Sequence, residues 1–282
     1  MTVTSPGIHP TAIVSDEAEL GAGVEIGPYC VVSGRVRLGD GVRLISHVCV
    51  DGPGQIGAGT VVHPFARLGA PGQDRKLGPD DLTAGFVLGE EGIIREYATV
   101  HSATNDETPT TIGDRIFMMC SSHVGHDSLV GNDVIMVNGA ALAGHTIVGD
   151  RVNLSAYSAV HQNCRIGRLS MLSGVVMSMD VLPFSTSILR NRISGVNLIG
   201  MRRSGMDRRE IQAVRDAFRD LVRPGLARQD LIGELRSRGE GRFPALVEMA
   251  EFAESARRGL APGLRTAKRD RLDAEADVES QL

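Results

Sequence analysis

The chain has no tryptophan, three tyrosines and seven phenylalanines among 282 residues. A core built around large rings is therefore not expected. Cysteine is sparse too. Cys30, Cys49, Cys120 and Cys164 form no CxxC pair and stand far apart, which argues against a thiolate metal knuckle or a disulfide scaffold and for four reduced, small residues. There is no run of about 18 uncharged apolar residues, so no transmembrane segment is expected. The opening MTVTSPGIHPTAIV has neither a basic nor an apolar segment, so no secretory signal is expected and a cytoplasmic location is. Basic residues are not in excess. A formal net charge of −4 speaks against binding nucleic acid by bulk electrostatics.

What the chain does have is glycine, 34 of them, and a hydrophobic fraction of 42%. These are organised by a repeat. Residues 8–67 divide into sixes: IHPTAI, VSDEAE, LGAGVE, IGPYCV, VSGRVR, LGDGVR, LISHVC, VDGPGQ, IGAGTV, VHPFAR. The register resumes at Leu88 for three hexapeptides and at Ile112 for eleven more, giving 10 + 3 + 11 = 24. All 24 begin with Ile, Leu, Val or Met, ten carry glycine second, and the fifth position is small or β-branched throughout. Neither an amphipathic helix nor a simple strand has a period of six. The pattern fits a left-handed parallel β-helix in which each hexapeptide forms one side of a triangular coil and the leading aliphatics stack inside. Twenty-four hexapeptides make eight coils.

The expected organisation is a β-helix over residues 1–187, interrupted by loops at 68–87 and 106–111, then a helical domain over 188–261, then a charged, disordered tail at 262–282. In the helical part, Asp207 and Glu210 are spaced for a capping box, with Ile211, Val214, Phe218 and Leu221 on one face. QDLIGELRSRG and FPALVEMAEFAESARRGL read as two further helices.

A coil of three hexapeptides stacks residues 18 apart, about 5 Å from one another. In SSHVGHDSLVGND, His126 therefore lies one coil from Gly144, and Gly144 one coil from Gln162. His123, His145 and His161 fall beside them, with His101 one segment earlier, so five of the eight histidines gather along one edge. Three readings compete: polar residues at solvent-facing corners, a metal site, or general-base catalysis. HxxH on an extended segment does not place two ligands as HExxH on a helix does. A near-neutral imidazole can take a proton from a hydroxyl nucleophile, and a glycine N–H one coil away can stabilise an oxyanion. No serine or cysteine nucleophile with an adjacent base is evident, which favours direct transfer. Asp127 orients the imidazole only if a corner turns it to the same side, because neighbours on a strand point to opposite faces.

The motifs GQDRK, HVGHD, LAGH, AVHQNC, DVLPF, GVN and GMRRSG, in this order over about 250 residues, make the chain resemble the UDP-N-acetylglucosamine O-acyltransferases of lipid A synthesis. The resemblance implies a homotrimer with its active sites between neighbouring prisms. It implies transfer of an (R)-3-hydroxyacyl chain from acyl carrier protein to the 3-hydroxyl of a UDP-amino-sugar, with no metal or other cofactor. It implies that His126 is the general base and Gly144 the oxyanion donor. Asp74, Lys76, His123, His145, His161 and Gln162 then contact the substrates, Asp74 and Lys76 from the neighbouring chain. Asn197 and Arg203 lie near the nucleotide, and Met171 and Gly174 border the acyl groove, the glycine leaving room for a longer chain. The sequence departs from the family at Ser102, Arg190, Ile199 and Ser204, where Arg, Gly, Glu and Arg are usual. These departures concentrate on the nucleotide and carrier-protein side, so a different nucleotide sugar, such as a 3-amino sugar, and a non-catalytic β-helix remain the rival expectations.

Overall fold

The computed structural model describes residues 7–78, 81 and 83–264. Two- to four-residue strands wind into three sheets around a common interior. The first face, of nine strands, runs from Ile13–Val14 to Val176–Met177. The second, of eight, runs from Glu19–Leu20 to Arg165–Ile166. The third, of ten, runs from Glu25–Ile26 to Ser185–Ser187 and closes on Gly195–Val196, its one antiparallel partner. Where the repeat is regular, partners are 18 residues apart, as in Val31 with Cys49 and Ile135 with Asn153.

The leading aliphatics fill the interior as the period of six requires. Ile26, Val32, Leu38, Leu44, Val50, Ile56, Val62 and Leu68 are all buried, and the series continues through Met118, Val124, Met136, Leu142 and Leu154 to Leu172. The fifth position is largely buried too, and several of its polar members are satisfied coil to coil, although the Ser122 hydroxyl has no partner among the described residues. Ser128 and Thr146 share a hydrogen bond of 2.9 Å, and Ser158 and Ser170 donate to the carbonyls of Leu172 and Leu182.

The fold is the expected parallel β-helix followed by helices, with corrections to its count. Eight coils undercount the wall. Phe86–Leu88 and Thr110–Ile112 straddle the interruptions and are strands. Ser185–Ser187 escapes a six-residue reading because Thr186 pairs with Met171, only 15 residues back. The first excursion is accordingly narrower than 68–87, bounded by strands Arg67–Ala70 and Phe86–Leu88, whereas the second begins earlier than 106–111 and lies between His101 and Thr110.

Among the described residues four helices follow: α1 (Leu198–Arg203), α2 (Arg208–Ala217, continued as a π-helical turn Phe218–Val222), α3 (Arg228–Gly239) and α4 (Pro244–Glu254). Ile211, Val214, Phe218 and Leu221 are buried on one face, as expected. Asp207 caps α2 by accepting from the Arg209 N–H, but there is no reciprocal box. Glu210 instead accepts from the Ala245 N–H at 2.8 Å, so its carboxylate caps α4. α4 is fastened to the second face by Arg168 with Glu248 at 2.7 Å and by the Arg165 guanidinium over the Phe252 ring. The stretch expected as a tail from 262 onward is held at its start, where Ile193 N–H donates to Pro262 and Leu264 N–H to Ile193. Residues 265–282 lie outside the described ones.

Candidate active site

The corner between the first and second faces carries Asp127, His145 and Asn163, one per coil, with φ of 59°, 59° and 62°. This left-handed backbone is uncommon outside glycine and is tolerated best by Asn, Asp and His. It settles the orientation of Asp127. The corner brings its side chain round to its neighbour, and His126 Nδ1 lies 2.7 Å from Asp127 Oδ2.

The Asp127 carboxylate is only 5% exposed and is surrounded by donors. It accepts from Thr104 N–H at 3.0 Å, Thr104 Oγ1 at 2.7 Å and Asn105 Nδ2 at 2.7 Å, besides His126. Its own N–H donates to Thr110 Oγ1. Burial acts to raise its pKa, but the hydrogen bonds from His126 and Thr104 outweigh it and hold the carboxyl below its ordinary value. An ionised carboxylate can only accept, so the neutral His126 ring carries its proton on Nδ1 and leaves the Nε2 lone pair free.

Gly144 is where the stacking arithmetic places it. A Cβ at that position would stand 2.5 Å from His126 Cε1 and 2.6 Å from Nε2. The imidazole thus rests on the glycine backbone of the next coil. His145 stands beside it, half exposed, its Nε2 3.6 Å from Asp127 Oδ2 and its ring perpendicular to that of His126. His126, Asp127 and His145 could offer three ligand atoms within 4.8 Å of one another. Asp127 Oδ2 already accepts from both Thr104 and His126, however, so these atoms read as a hydrogen-bonded relay rather than a metal cage.

His123 points outward from the first face, its Nδ1 2.8 Å from Thr99 Oγ1 and its ring edge-on to His101. Burial and the neighbouring His101 and His126 push its pKa down to about 4, so it is neutral near pH 7. His101 is buried and lowered for the same first reason. His161 and Gln162 are exposed along the same corner, with His161 Nδ1 against the Gln162 carbonyl at 3.2 Å. The long excursion crosses this edge at its base, where a Cβ on Gly72 would lie 3.0 Å from His126 Cβ and 2.6 Å from Thr104 Cγ2. Just beyond, Asp74 Oδ1 accepts from Lys76 N–H in a tight exposed turn.

The other expected residues lie elsewhere in the chain. Met171 is on the third face, and Gly174, with φ of 63°, is at the far edge of the first face from His126. Asn197 caps α1 by accepting from Gly200 N–H and also donates to the Leu169 carbonyl, so both ends of its amide are used within the chain. Arg203 is exposed in the last turn of α1. Thr104, Asn105, Thr110 and Gly72 were not singled out from the sequence. Gly72 and Thr110 fall within the interruptions of the repeat, whereas Thr104 and Asn105 read as the end of a hexapeptide. A groove of about 460 Å³ runs under α4, lined by Leu129, Ile147, Arg168 and Phe252 among others, and none of the histidines lines it.

Residues 180–261 match the family described as Udp N-acetylglucosamine O-acyltransferase, Domain 2. A protein of Alkalilimnicola ehrlichii named acyl-(acyl-carrier-protein)--UDP-N-acetylglucosamine O-acyltransferase is 44% identical over 90% of this chain and 98% of its own length. This chain belongs to the UDP-N-acetylglucosamine O-acyltransferase family. It is an acyltransferase. A protein of the same name from Anaeromyxobacter dehalogenans is 41% identical over 90% of this chain and 98% of its own. Two solved structures of the family agree over the whole fold. The UDP-N-acetylglucosamine acyltransferase of Francisella novicida has a TM-score of 0.86 at 29% identity, covering 92% of this chain and 94% of that one. The enzyme of Moraxella catarrhalis has a TM-score of 0.85 at 33% identity, covering 90% and 99%.

Against the family pattern, the four departures have definite places. Ser102 is buried and its hydroxyl donates to the Gly69 carbonyl, tying the start of one excursion to the other. Ser204 caps the C-terminus of α1 and donates to the Met201 carbonyl. Arg190 is exposed, and Ile199 is 62% exposed on α1.

Proposed function

We propose that this acyltransferase moves an (R)-3-hydroxyacyl chain from acyl carrier protein to the 3-hydroxyl of UDP-N-acetylglucosamine, the first step of lipid A biosynthesis. The observation that carries the reading is the His126–Asp127 pair resting on Gly144. His126 Nε2 takes the proton of the sugar hydroxyl as its oxygen attacks the thioester carbonyl. The oxyanion that forms is stabilised by the Gly144 N–H, which has no acceptor among the described residues. The tetrahedral intermediate then expels the carrier's thiolate, which recovers the proton from His126. The thioester supplies its own activation, so the step uses no cofactor.

His123, His145, His161 and Gln162 line the path of the substrates along the histidine edge, and Asp74 and Lys76 reach the sugar from the neighbouring chain. Because Asn197 is already bonded at both ends, Arg203 carries more of the nucleotide recognition assigned to α1. Met171 and Gly174 border the acyl groove and leave space for a longer chain. The histidine corner is an open ridge of the single chain, which supports a site completed by a second copy in a homotrimer. An exposed corner column supports assembly as well: the rings of Tyr29, His47, Phe65 and Tyr97 stack at 5.0, 5.0 and 5.1 Å between centroids. No helix among the described residues is long and apolar enough to cross a membrane. We place the enzyme in the cytoplasm, with acyl carrier protein.

A second reading, the same chemistry on another nucleotide sugar, is favoured by Ile199 standing exposed where the sequence resemblance implies a carboxylate. Mass-detected transfer from 3-hydroxyacyl carrier protein to UDP-N-acetylglucosamine and to its 3-amino counterpart, side by side, separates the two. Acylation of UDP-N-acetylglucosamine alone supports the first reading, preference for the amino sugar supports the second, and transfer to neither sinks both.

A further inference from the structure

Asp127 is gripped by residues that lie off both the histidine edge and the strand wall. Thr104 and Asn105 sit in the second excursion, and between them give its carboxylate three of its four hydrogen bonds. The Asn105 amide can adopt only one sense here. Its Nδ2 faces a carboxylate, which only accepts, while its Oδ1 receives the N–H groups of Glu107 and Thr108, which only donate. The Asn105 carbonyl accepts from Ala84 N–H at 2.7 Å, so the far end of the long excursion is hung from the same residue. The near end arrives at the same place. Gly72 packs on Thr104 Cγ2 and His126 Cβ, and the N–H groups of Ala103 and Thr110 both donate to the Gly85 carbonyl. The two interruptions of the β-helix are therefore knitted together at one point, and that point is the carboxylate behind His126.

We infer that Thr104 and Asn105 are positioning residues: they lock the Asp127 carboxylate so that it accepts the hydrogen bond of His126 Nδ1–H at a fixed place, and they couple the seating of the two ends of the long excursion, at Gly72 and Ala84, to that lock. The inference rests on the reading of His126 as the base and adds to it. A carboxylate with one rotatable bond beyond Cβ can swing, and Oδ2 would then leave His126. Four donors from three directions hold it in one rotamer. The histidine ring, pressed against Gly144 on one side, is thereby held on the other. The titratable groups that face Asp127 are His126 and His145, and those that face His126 beyond it are His101 and His123. A pH profile alone would mix their responses, so the test reads the ring itself.

The experiment uses the full chain carrying Thr104→Ser, Thr104→Val or Asn105→Ala, with kcat and KM measured for both substrates and the His126 ring proton followed by NMR on ¹⁵N-histidine protein. Thr104→Ser keeps the hydroxyl and should keep kcat and the Nδ1 proton resonance. Thr104→Val and Asn105→Ala should broaden or lose that resonance and lower kcat roughly 10- to 100-fold, the scale of a small misplacement of a reacting group, with KM little changed. Adding Thr104→Val to His126→Ala should cost nothing further, because the clamp acts through the ring. An unchanged resonance in both Thr104→Val and Asn105→Ala would overturn the inference. So would a rise in KM at constant kcat, which would make the excursion a binding loop only, or a further loss in the double variant. Undiminished activity of His126→Ala is a separate result: it removes the base assignment and leaves the clamp to be judged on the ring proton alone.

Discussion

The imidazole of His126 lies against the backbone of Gly144 so closely that a Cβ on the glycine would reach within 2.6 Å of Nε2, the nitrogen left free by Asp127. The proposed base on one coil and the proposed backbone donor on the next thus come from a single stacking step of the β-helix. Gly144→Ala should displace the ring rather than break the coil, because the ring stands at the solvent-facing corner. The expected outcome is a fall in kcat on the scale of losing a general base, about 10²–10⁴-fold, with little change in thermal midpoint. Steady-state kinetics beside calorimetry would check it, and a large loss of stability with kcat retained in the folded fraction would contradict it.

Gly54 and Gly69 leave the space that Phe86 fills. A Cβ at either would stand 2.2 and 2.7 Å from the Phe86 ring, and Phe86 is fully buried where the wall restarts after the long excursion. Phe86→Ala should destabilise the chain by about 3–5 kcal/mol through lost burial and the cavity left behind. Urea unfolding measures this. A loss below about 1 kcal/mol, the range of the mildest core substitutions such as Ile→Val, would mean the coils close over the gap.

His123 gives acid sensitivity. Its pKa is about 4 in the folded chain against an ordinary 6.5. Between those values the unfolded chain binds a proton that the folded chain does not, so stability present above about pH 6.5 is lost as the pH falls towards 4. His123→Gln should flatten this part of the stability curve. Urea midpoints measured across the window would decide, and equal slopes in the two proteins would rule His123 out as the source.

Glu210 links two helices. Its carboxylate accepts from Ala245 N–H rather than from the start of its own helix. Glu210→Ala should therefore speed hydrogen exchange in the first turn of α4 and leave the first turn of α2, held by Asp207, close to unchanged. Faster exchange at the start of α2 instead would favour a local capping box.

Much of this architecture can be read along the chain, because a period of six admits few structures. The aliphatic series from Ile26 to Leu172 is the core, and adding 18 to 126 finds Gly144. The reading weakens wherever the register slips. Ser185–Ser187 follows a short step of 15 and was lost to the coil count. Asp127 could not be oriented from strand geometry, since its direction depends on a left-handed φ that only the corner supplies. Thr104 and Asn105 fall in the six-residue reading at 100–105, but the chain leaves the wall after His101, and what they touch is set by where an irregular loop returns to it. Glu210 has the spacing of a local cap, yet the α4 N-terminus brought in by tertiary packing takes its carboxylate.

The proposed role of His126 as the base for acyl transfer is open to a direct test. The most direct test compares His126→Ala with the unaltered protein in single-turnover transfer from 3-hydroxyacyl carrier protein to UDP-N-acetylglucosamine, both substrates saturating. A base at His126 requires the variant's rate to fall by about 10²–10⁴-fold in a protein that still folds and binds both substrates. A rate near that of the unaltered protein would contradict it.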